Sequence, residues 1–418
     1  MIIERFKIYQ MNDIYTKDEE LMEINDKIQT PFFLVDKNIL DNLLSDLKKA
    51  LYSFYPNAII GYSFKTNNLP WIITYMKKNK LYAEVVSSDE YTLAKELEYE
   101  TKNIIFNGPA KNKEEFIDAV NNGAIVNIDS HRELQWLLHC DKSQVKKSKI
   151  GLRVNFCLED YCPGESQCGD EDGRFGFSYE TGDLKYAIDF LEKNSIPLSG
   201  LHLHCSSKSR SLNIYRAIAK ISVDIVREYK LNLSYLDIGG GYFGGVEGKP
   251  SFFDYFSNIY KILNSEKLLR DVNLIIEPGM SLIGASMKYV TRVIDIKKTK
   301  NNDFVLLDGS RIHIDPLMRK KSYSYQIERK SSNLNIDTKE HQILCGFTCM
   351  EGDRFFHYDG QKLSEGDYVI FEKVGAYTIG LSPQFIEFHP DIYVLDEDLK
   401  LVQSKRTAKE FIKDKNSF

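Results

Sequence analysis

Residues 58–67 read A-I-I-G-Y-S-F-K-T-N, and the fold prediction starts from this stretch. It opens with an apolar run typical of strands that are buried on both faces, and it ends in three polar side chains. Seven similar apolar runs follow at intervals along the chain. The eight candidate strands are Ala58–Phe64, Ala83–Val86, Ile104–Asn107, Ala124–Ile128, Ile150–Asn155, Gly200–His204, Tyr235–Ile238 and Leu274–Glu277.

Helix-like stretches separate these candidate strands. Leu212–Tyr229 places apolar residues at helical spacing, and Glu114–Asn121 is a second such stretch. Eight strands that alternate with helices predict an α/β protein built on a TIM-like (β/α)8 barrel. We expect this barrel to span residues 31–286.

The pattern changes after about residue 287. Strand-like segments continue without regular intervening helices, as at Tyr289–Ile296, Phe304–Leu307, Tyr368–Phe371 and Ile392–Val394. This pattern indicates a second, mainly β domain at residues 287–418. Residues 1–30 precede the barrel, and we expect them to belong to the same β domain.

The composition is that of an ordinary globular protein. The 418 residues include 55 basic and 60 acidic side chains, a net charge of −5 without a long basic run, which argues against nucleic acid as the main partner. Charged residues interrupt the N-terminal sequence M-I-I-E-R-F-K-I-Y-Q where a signal peptide needs an apolar core, and no apolar run approaches membrane length. We therefore expect a cytoplasmic protein without a membrane partner.

Seven cysteines, an odd number spread over a long chain, argue against a disulfide framework. Three of them, Cys157, Cys162 and Cys168, lie in a loop rich in acidic residues. Their spacing lacks the close C-x-x-C pairs of common zinc sites. We interpret this segment as a solvated acidic loop and expect no bound metal.

Polar residues stand where the candidate strands end, which is the active-site face of such a barrel. Lys65 follows the first strand, where desolvation is expected to lower the pKa of the amine and prepare it to form a Schiff base. The same local sequence also suits a lysine whose side chain only extends to the rim of the barrel and has no catalytic part. His204 ends the sixth strand, where it is either a core histidine or part of the site.

Glycines and an acid mark the last strand ends. Gly239–Gly241 lets the backbone approach an anion closely, and Ser207 offers a hydroxyl to the same anion. A tight turn and an ordinary loop serine explain these residues equally well. Glu277, at a buried strand end, either pairs with a cation or is a satisfied structural carboxylate.

Ten short motifs follow one another in a recognisable order. They are Y-S-F-K-T-N (62–67), V-S-S-D-E (86–90), N-I-D-S (127–130), L-R-V-N (152–155), R-F-G-F (174–177), H-L-H-C-S-S (202–207), D-I-G-G-G (237–241), E-P-G (277–279), C-M-E-G-D (349–353) and V-G-A-Y-T (374–378). In this order the chain resembles the fold-type III decarboxylases that depend on pyridoxal phosphate, a group that includes diaminopimelate, ornithine and carboxynorspermidine decarboxylases. The resemblance runs from Thr30 to about Pro390.

The resemblance implies an alanine-racemase-like barrel, the cofactor pyridoxal 5'-phosphate and an amino-acid decarboxylase. It implies that Lys65 forms a Schiff base with the cofactor, that His204 stacks on its ring and that Glu277 pairs with the pyridine nitrogen. The residues implied to hold the phosphate are Ser207, Gly239, Gly240, Gly241 and Tyr377.

The resemblance also implies a homodimer in which both subunits complete each active site. Cys349 of the neighbouring subunit is implied to act at the substrate Cα after carbon dioxide has left, and a buried interface cysteine is the alternative interpretation. Arg174 and Asp353 are implied to form an ion pair across the dimer interface.

The chain departs from the diaminopimelate branch at three positions that grip the distal end of the substrate. Met280 stands in place of an arginine after E-P-G, and Met350 follows the motif cysteine, with Glu351 one place later. The sequence H-I-D-P at 313–316 replaces an Arg-Pro pair. These differences disfavour diaminopimelate as the substrate.

The remaining polar residues suggest two classes of substrate. Asp315 is a candidate to receive a distal amine, with Glu351 and Asp353 as further candidates, and this suits a basic or polyamine-like substrate. An aspartate that turns the chain before a proline explains Asp315 equally well. The cations Arg319–Lys321 would instead attract an acidic substrate or form a solvated face.

Three other functions are compatible with these motifs: a diaminopimelate-type decarboxylase, an amino-acid racemase on the same fold and a non-catalytic regulator that binds the cofactor. Racemases of this fold typically place arginine at the pyridine nitrogen, so Glu277 favours decarboxylation. Non-catalytic relatives tend to lose cofactor or catalytic residues, whereas Lys65, His204, Cys349 and Tyr377 are all present.

Overall fold

The computed structural model describes residues 28–413, with gaps at residues 168, 170, 172, 206–208 and 331–338. The strands are β1 (Phe32–Asp36), β2 (Ile59–Ser63), β3 (Tyr82–Val85), β4 (Ile104–Phe106), β5 (Ile125–Ile128), β6 (Lys149–Asn155), β7 (Phe177–Ser178), β8 (Gly200–His202), β9 (Tyr235–Asp237), β10 (Asn273–Ile276), β11 (Met287–Lys298), β12 (Asp303–Leu307), β13 (Ser324–Glu328), β14 (Lys339–Cys345), β15 (Arg354–Gln361), β16 (Tyr368–Glu372), β17 (Asp391–Leu395) and β18 (Leu399–Gln403). The α-helices are α1 (Lys37–Tyr52), α2 (Pro70–Lys78), α3 (Ser88–Glu96), α4 (Lys113–Asn121), α5 (His131–Leu137), α6 (Lys142–Val145), α7 (Asp183–Lys193), α8 (Leu212–Tyr229), α9 (Phe252–Leu263), α10 (Met280–Ile283) and α11 (Ala408–Lys413).

Eight parallel strands close into a barrel. They follow one another around the ring in the order β2, β3, β4, β5, β6, β8, β9 and β10, and the pairing of β10 with β2 completes the circle. The short strand β7 pairs with the end of β6. The predicted (β/α)8 barrel is therefore confirmed, and each candidate strand contributes one of its members.

Apolar side chains fill the inside of the barrel. Ile105, Ile125, Tyr235 and Ile275 pack together there as a buried cluster. The large ring of Tyr235 takes the space next to Gly200, where a Cβ would lie 2.4 Å from a ring carbon. The barrel is thus a packed core rather than a pore, and ligands can enter only at its ends.

Amphipathic helices cover the outside of the barrel. In α8 the apolar residues Ile218, Ile221 and Ile225 recur at helical spacing, and all three belong to the main core. Helix α9 begins with a capping box, in which Ser251 and Asp254 each accept a hydrogen bond from the other's backbone N–H. None of the described helices has the length and apolar character that crossing a membrane requires.

A second sheet forms the predicted mainly β domain. Its strand order is β15-β14-β12-β11-β1-β17-β18, and β16 pairs with both β11 and β13. One buried cluster of this sheet consists of Phe32, Leu34, Val290, Tyr368 and Ile370. The four strand-like segments expected after residue 287 lie in β11, β12, β16 and β17.

Strand β1 belongs to this second sheet, where it pairs with β11 and β17. We expected the barrel to begin at residue 31, but the chain enters it only after Asp36. The physical reason is that residues 32–35 are all apolar and buried, so their sequence suits a strand of either sheet. Of the expected N-terminal part of the β domain, residues 1–27 lie outside the described residues.

The two sheets meet at the carboxyl ends of the barrel strands. The backbone N–H of Tyr377 donates to the carbonyl of Thr66 (2.8 Å), and the Asn67 side chain donates to the carbonyl of Gly375 (2.9 Å). These bonds hold the loop at 374–378 over the end of β2, next to Lys65. The active-site face of the barrel therefore lies against the second sheet.

Candidate active site

Lys65 lies on a short 3₁₀ turn, Phe64–Thr66, that directly follows β2. Phe64 and Thr66 are buried and anchor the turn on both sides, whereas the Lys65 side chain is 38% exposed and faces a cavity. Its Nζ lies 2.9 Å from Oε2 of Glu84, a buried residue of β3. An ion pair thus positions the amine.

Two opposing influences act on the pKa of Lys65. Burial lowers this pKa, but the negative charges of Glu84 and Glu277 raise it by more, so the net shift is upward. The expectation of a low pKa from desolvation is therefore wrong, because the local sequence does not reveal that two acids from other strands face the amine. In this state Lys65 is a cation and must lose a proton before it acts as a nucleophile.

Two asparagines connect the acids at the strand ends. The Asn107 amide donates to Oε1 of Glu84 (3.0 Å) and to Oε1 of Glu277 (2.5 Å). The Asn127 amide donates to Oδ1 of Asn107 (2.8 Å) and to Oδ2 of Asp237 (3.2 Å). All five side chains are buried. Sequence reasoning missed Glu84, Asn107 and Asn127, although a polar residue within or just after an apolar strand was an available signal.

Glu277, Asp237 and His202 form a buried cluster whose ligand-type atoms lie within 4.8 Å of one another. Burial raises the pKa of Glu277, but His202, 3.6 Å away, and Lys65 lower it by more. Burial and then the charge of Glu277 raise the pKa of Asp237. Glu277 is therefore the ionised member of the pair. The spacing would also suit a metal ion, yet both carboxylate oxygens of Asp237 already accept hydrogen bonds from the chain.

His204 follows β8 at the mouth of the barrel. Its ring is nearly parallel to that of His202, with 11° between the planes and 6.4 Å between the centroids. Burial lowers the pKa of His204 to about 3, although the charge of Glu277 opposes this shift. The imidazole is neutral at physiological pH and offers an uncharged aromatic surface.

The Gly239–Gly241 loop bends sharply beside His204. Gly239 and Gly241 have positive φ angles of 68° and 94°, and a Cβ at Gly240 would lie 2.1 Å from the carbonyl oxygen of Glu277. Only glycines fit this path. Within the described part of the chain, the N–H groups of Gly240 and Gly241 have no hydrogen-bond acceptor, so they are available to an anion.

A cavity of about 280 Å³ brings most of the predicted cofactor residues together. The predicted residues that line it are Lys65, His204, Gly240, Gly241, Glu277 and Tyr377. Gly239 adjoins this wall in the same loop, and Ser207 lies outside the described residues. Tyr377, whose side chain is 41% exposed, also lines the opening toward the second sheet.

The walls of this cavity fit pyridoxal phosphate. An amine suits its aldehyde, an ionised carboxylate suits its ring nitrogen and a neutral aromatic surface suits its ring. The glycine loop has no side chains to block a phosphate, and its free N–H groups suit the phosphate oxygens.

A second cavity, of about 400 Å³, lies between the barrel and the second sheet. It shares Arg210, Met280 and Tyr377 with the cavity at Lys65, so the two spaces adjoin. Met280, which replaces an arginine of the diaminopimelate branch, therefore lies where the two cavities meet.

Asp315 lines the second cavity, but its own chain satisfies its carboxylate. Oδ2 accepts hydrogen bonds from the Arg311 guanidinium (2.8 and 3.0 Å) and from the Tyr323 hydroxyl (3.0 Å). The backbone N–H of Arg319 donates to Oδ1 of the same carboxylate and that of Lys320 to Oδ2, each at 3.0 Å. Burial raises the pKa of Asp315, but these donors lower it by more. This arrangement removes the support for Asp315 as the receiver of a distal amine.

Asp353 organises the loop that carries Cys349. Its buried carboxylate accepts hydrogen bonds from the hydroxyls of Ser310 (3.0 Å) and Thr348 (2.7 Å). Asp353 is therefore bound to its own loop rather than open to a substrate. Cys349 is an exposed free thiol that lines neither cavity of this single chain. Its action in a neighbouring subunit stays a prediction.

Glu351 and Arg174 are both exposed in the single chain. Glu351 pairs with Arg354 at 2.9 Å and lines neither of the two cavities. The Arg174 guanidinium lies 4.2 Å above the ring of Phe175. The ion pair between Arg174 and Asp353 of two subunits stays a prediction.

In the acidic loop, the carboxylate of Glu159 stabilises a turn of the loop itself. Glu159 accepts hydrogen bonds from the backbone N–H groups of Gly164 (2.5 Å) and Ser166 (2.8 Å). Cys157 and Cys162 are free thiols, and Cys168 lies outside the described residues. None of the described residues of this loop joins the cluster of ligand-type atoms at His202.

A comparison with protein families finds a match over most of the barrel. Residues 40–284 match the family described as "Pyridoxal-dependent decarboxylase, pyridoxal binding domain". The matched range includes every lining residue of the cavity at Lys65 except Tyr377.

Related proteins extend this similarity to the second sheet. A probable chloroplastic diaminopimelate decarboxylase of Oryza sativa subsp. japonica is 28% identical over 90% of this chain and 77% of its own length. The structure of Helicobacter pylori diaminopimelate decarboxylase complexed with L-lysine has a TM-score of 0.80 at 22% identity, covering 94% of this chain and 99% of that one. The arginine decarboxylase of Paramecium bursaria Chlorella virus, bound to agmatine, has a TM-score of 0.75 at 22% identity over 90% and 100%. At these identities the two structures share the fold of this chain.

Proposed function

This chain belongs to the pyridoxal-dependent decarboxylase family and catalyses the pyridoxal-phosphate-dependent decarboxylation of an amino acid, and we propose that the reaction takes place in the cavity at Lys65. One observation carries this proposal: an amine and an ionised carboxylate face the same 280 Å³ space. Of the functions compatible with the sequence, the comparisons support decarboxylation.

The cavity residues have distinct parts in this proposal. Pyridoxal phosphate, when bound, supplies an electron sink for the electron pair left at the substrate Cα. Glu277 keeps a proton on the ring nitrogen, because His202 and Lys65 hold this carboxylate in its ionised form. His204 covers the ring without adding a competing charge, since its imidazole is neutral.

Lys65 serves as the covalent attachment point and as a proton carrier. Glu84 holds Nζ at 2.9 Å and favours the protonated amine. When Lys65 is not covalently bound, this ion pair would hold its protonated amine at the mouth of the barrel, where the amine could donate a proton. Asn107 fixes the orientation of Glu84 through a 3.0 Å hydrogen bond.

The proposal includes a homodimer in which Cys349 of each subunit reaches the cavity of the other and protonates the substrate Cα. Exposed apolar side chains that line the second cavity, or follow its lining residue Leu381 closely in the chain, support this part, because a second subunit would bury them. They are Leu317, Tyr377, Leu381, Phe385 and Ile386. The exposed thiol of Cys349 is free to act in this way.

Replacing the amine tests the assignment of Lys65. Lys65→Ala should abolish the visible absorbance of the protein incubated with pyridoxal phosphate, and it should reduce carbon dioxide release by at least about a thousandfold, since Lys65 is the only lysine among the described lining residues of the cavity. Absorbance and carbon dioxide release from a panel of amino acids measure both effects. Lys193→Ala, on the exposed end of α7, is the matched control and should retain both signals. Unchanged absorbance and turnover in Lys65→Ala would refute the proposal.

A further inference from the structure

The 400 Å³ cavity between the barrel and the second sheet adjoins the reaction space at Arg210, Met280 and Tyr377. A substrate bound at Lys65 can therefore extend its distal end into this cavity. We propose that the cavity selects amino acids whose distal group is an anion without a neighbouring cation, an inference that rests on the proposed function of the cavity at Lys65.

The charges of the lining carry this inference. Four basic residues, Arg210, Arg319, Lys320 and Lys373, line the cavity. Asp315 is the one acidic residue among its described lining residues. In a partly enclosed space such an excess of one sign attracts a ligand of the opposite charge and repels one of the same charge.

The single acid does not change this balance. Asp315 is 4% exposed, and the Arg311 guanidinium, which is not part of the lining, binds its Oδ2 at 2.8 and 3.0 Å. Its Oδ1 accepts the backbone N–H of Arg319 at 3.0 Å. A ligand amine would have to displace an arginine to reach this carboxylate. The carboxylate of Asp315 is therefore not available to bind the basic or polyamine-like distal group that the sequence suggested for the substrate.

Asp315 instead positions the cations. By accepting the backbone N–H groups of Arg319 and Lys320, it fixes the start of both side chains at the cavity. The Lys320 amine donates to the carbonyl of Ile314 at 2.8 Å, which holds it in place. Burial lowers the pKa of Lys320, and a bound anion would oppose this shift. Arginine stays charged throughout the physiological range and can bind a carboxylate through two parallel hydrogen bonds.

The rest of the lining is mostly apolar. Met280, Ala285, Ile314 and Leu381 are among the apolar residues that line the cavity together with the basic ones. Apolar walls suit the methylene groups of a substrate chain. The cavity thus matches a chain of methylene groups that ends in a carboxylate or a comparable anion.

Three related substrates distinguish the possible distal groups. Holoenzyme is given meso-diaminopimelate, which has a distal carboxylate and a distal amine, L-2-aminopimelate, which lacks that amine, or L-lysine, which lacks that carboxylate. We expect kcat/KM for carbon dioxide release from L-2-aminopimelate to exceed both other values by about tenfold or more. A preference for lysine or for diaminopimelate would overturn the inference and leave the decarboxylase function intact.

Replacing a lining residue tests whether the preference for an anionic distal group arises in this cavity. Arg319→Met should lower kcat/KM for L-2-aminopimelate by about tenfold to a hundredfold, mainly through KM, because a charge-assisted hydrogen bond is lost. The value for lysine should not fall. Lys321→Met, two residues along and outside the lining, is the matched control and should leave both values unchanged. Equal losses for both substrates in Arg319→Met would contradict selection by charge.

If none of the three compounds is turned over, the binding of unreactive probes shows whether the cavity prefers an anionic or a basic group. The dissociation constants of pimelate and 1,5-diaminopentane for the holoenzyme, measured by calorimetry, report the same preference. Tighter pimelate binding that weakens in Arg319→Met supports the inference. Tighter binding of the diamine, or no binding of either probe, overturns it. If the protein also shows no absorbance with pyridoxal phosphate, the proposed function itself is wrong.

Discussion

Buried acids and bases at the mouth of the barrel have different charges because their neighbours differ. Burial by itself disfavours the charged form of every group. Glu277 stays ionised because His202 and Lys65 lie near it, whereas the pKa of Asp237 is raised by burial and by Glu277. His204 lacks enough compensation and is neutral. The pattern of charges that suits the cofactor is therefore a property of the group of residues.

His313, which lines neither cavity, provides a test of how burial lowers the pKa of a histidine. Its ring is 3% exposed and lies 2.7 Å from the Tyr289 hydroxyl. Burial lowers the pKa of His313 to about 3, and the charges of His389 and Lys405 add to the shift. An unfolded histidine titrates near pH 6.5, so between about pH 6.5 and pH 3 the unfolded chain binds a proton that the folded chain does not. The free energy of unfolding should therefore fall as the pH is lowered through this window.

Removing this titration should flatten the pH dependence. In His313→Phe, the slope of the unfolding free energy against pH should decrease by about 1.4 kcal/mol per pH unit, the value for one proton. Urea unfolding followed by circular dichroism between pH 4.5 and 6.5 measures the slope. Gln135→Phe, which removes no titratable group from an exposed position, should leave the slope unchanged. The assignment fails if His313→Phe has the wild-type slope.

Among the elements, the loop after β9 is held from three sides. The Tyr215 hydroxyl, from α8, donates to the carbonyl of Gly240 (3.0 Å), and the Tyr242 hydroxyl donates to the carbonyl of Gly239 (3.1 Å). Asp237 accepts the N–H of Gly239 (3.0 Å). With its carbonyls bound to tyrosines, the loop keeps the N–H groups of its last two glycines free. The element is thus preorganised for an anion.

A pair of glycine substitutions separates crowding from backbone strain in this element. Gly239 and Gly123 both have positive φ angles, 68° and 83°, but a Cβ at 239 would lie 2.4 Å from Nδ1 of His204, whereas Gly123 has open space around it. Gly123→Ala should cost about 1 kcal/mol of stability and leave pyridoxal phosphate binding intact. Gly239→Ala should also displace His204 and weaken cofactor binding by about tenfold or more.

Urea unfolding and cofactor titration by fluorescence measure the two effects. Similar cofactor affinity in both variants would show that the approach of His204 to this loop does not matter for binding.

In the whole molecule, the second sheet completes the site that the barrel begins. The loop at 374–378 bonds to the turn of Lys65 and adds Tyr377 to the cavity wall. The exposed apolar side chains of the following segment, Leu381, Phe385 and Ile386, lie next to this loop in the chain. A surface of this kind beside a reaction cavity favours closure by another protein surface, and we expect a second copy of the chain to provide it.

The proposed dimer gives a prediction about subunit association. Phe385→Glu places a charge on the exposed apolar segment and should shift the protein toward monomers with greatly reduced carbon dioxide release. Light scattering and activity assays measure both. Ile412→Glu, at a residue of α11 that is 63% exposed, is the matched control and should remain dimeric and active. A wild-type protein that is monomeric and fully active would contradict the proposal.

Mixing two inactive variants tests whether active sites are shared. Lys65→Ala and Cys349→Ala should each release little carbon dioxide alone. After subunit exchange, a mixed dimer has one site with both residues intact, so activity should return. No recovery from demonstrated mixed dimers would mean that Cys349 acts within its own subunit or not at all.

The sequence by itself determined the barrel, the second sheet and most of the cavity wall. Strand periodicity and the polar residues at strand ends are local features, and the parallel barrel brings all such ends to one face. One cavity is therefore lined by Lys65, His204, Glu277 and two glycines of the loop, Gly240 and Gly241. Strand β1 was the exception, because its apolar sequence suits either sheet.

Only the tertiary structure decided the charges and the hydrogen-bond partners. Lys65 meets Glu84, 19 residues away, and Asn107 meets Glu277, 170 residues away. The charge of Asp315 is compensated by an ion pair with Arg311, four residues earlier. The sequence does not show that the Arg311 side chain points toward this carboxylate. A pKa depends on which groups lie within a few ångströms in space, and the order of residues along the chain leaves those distances undetermined.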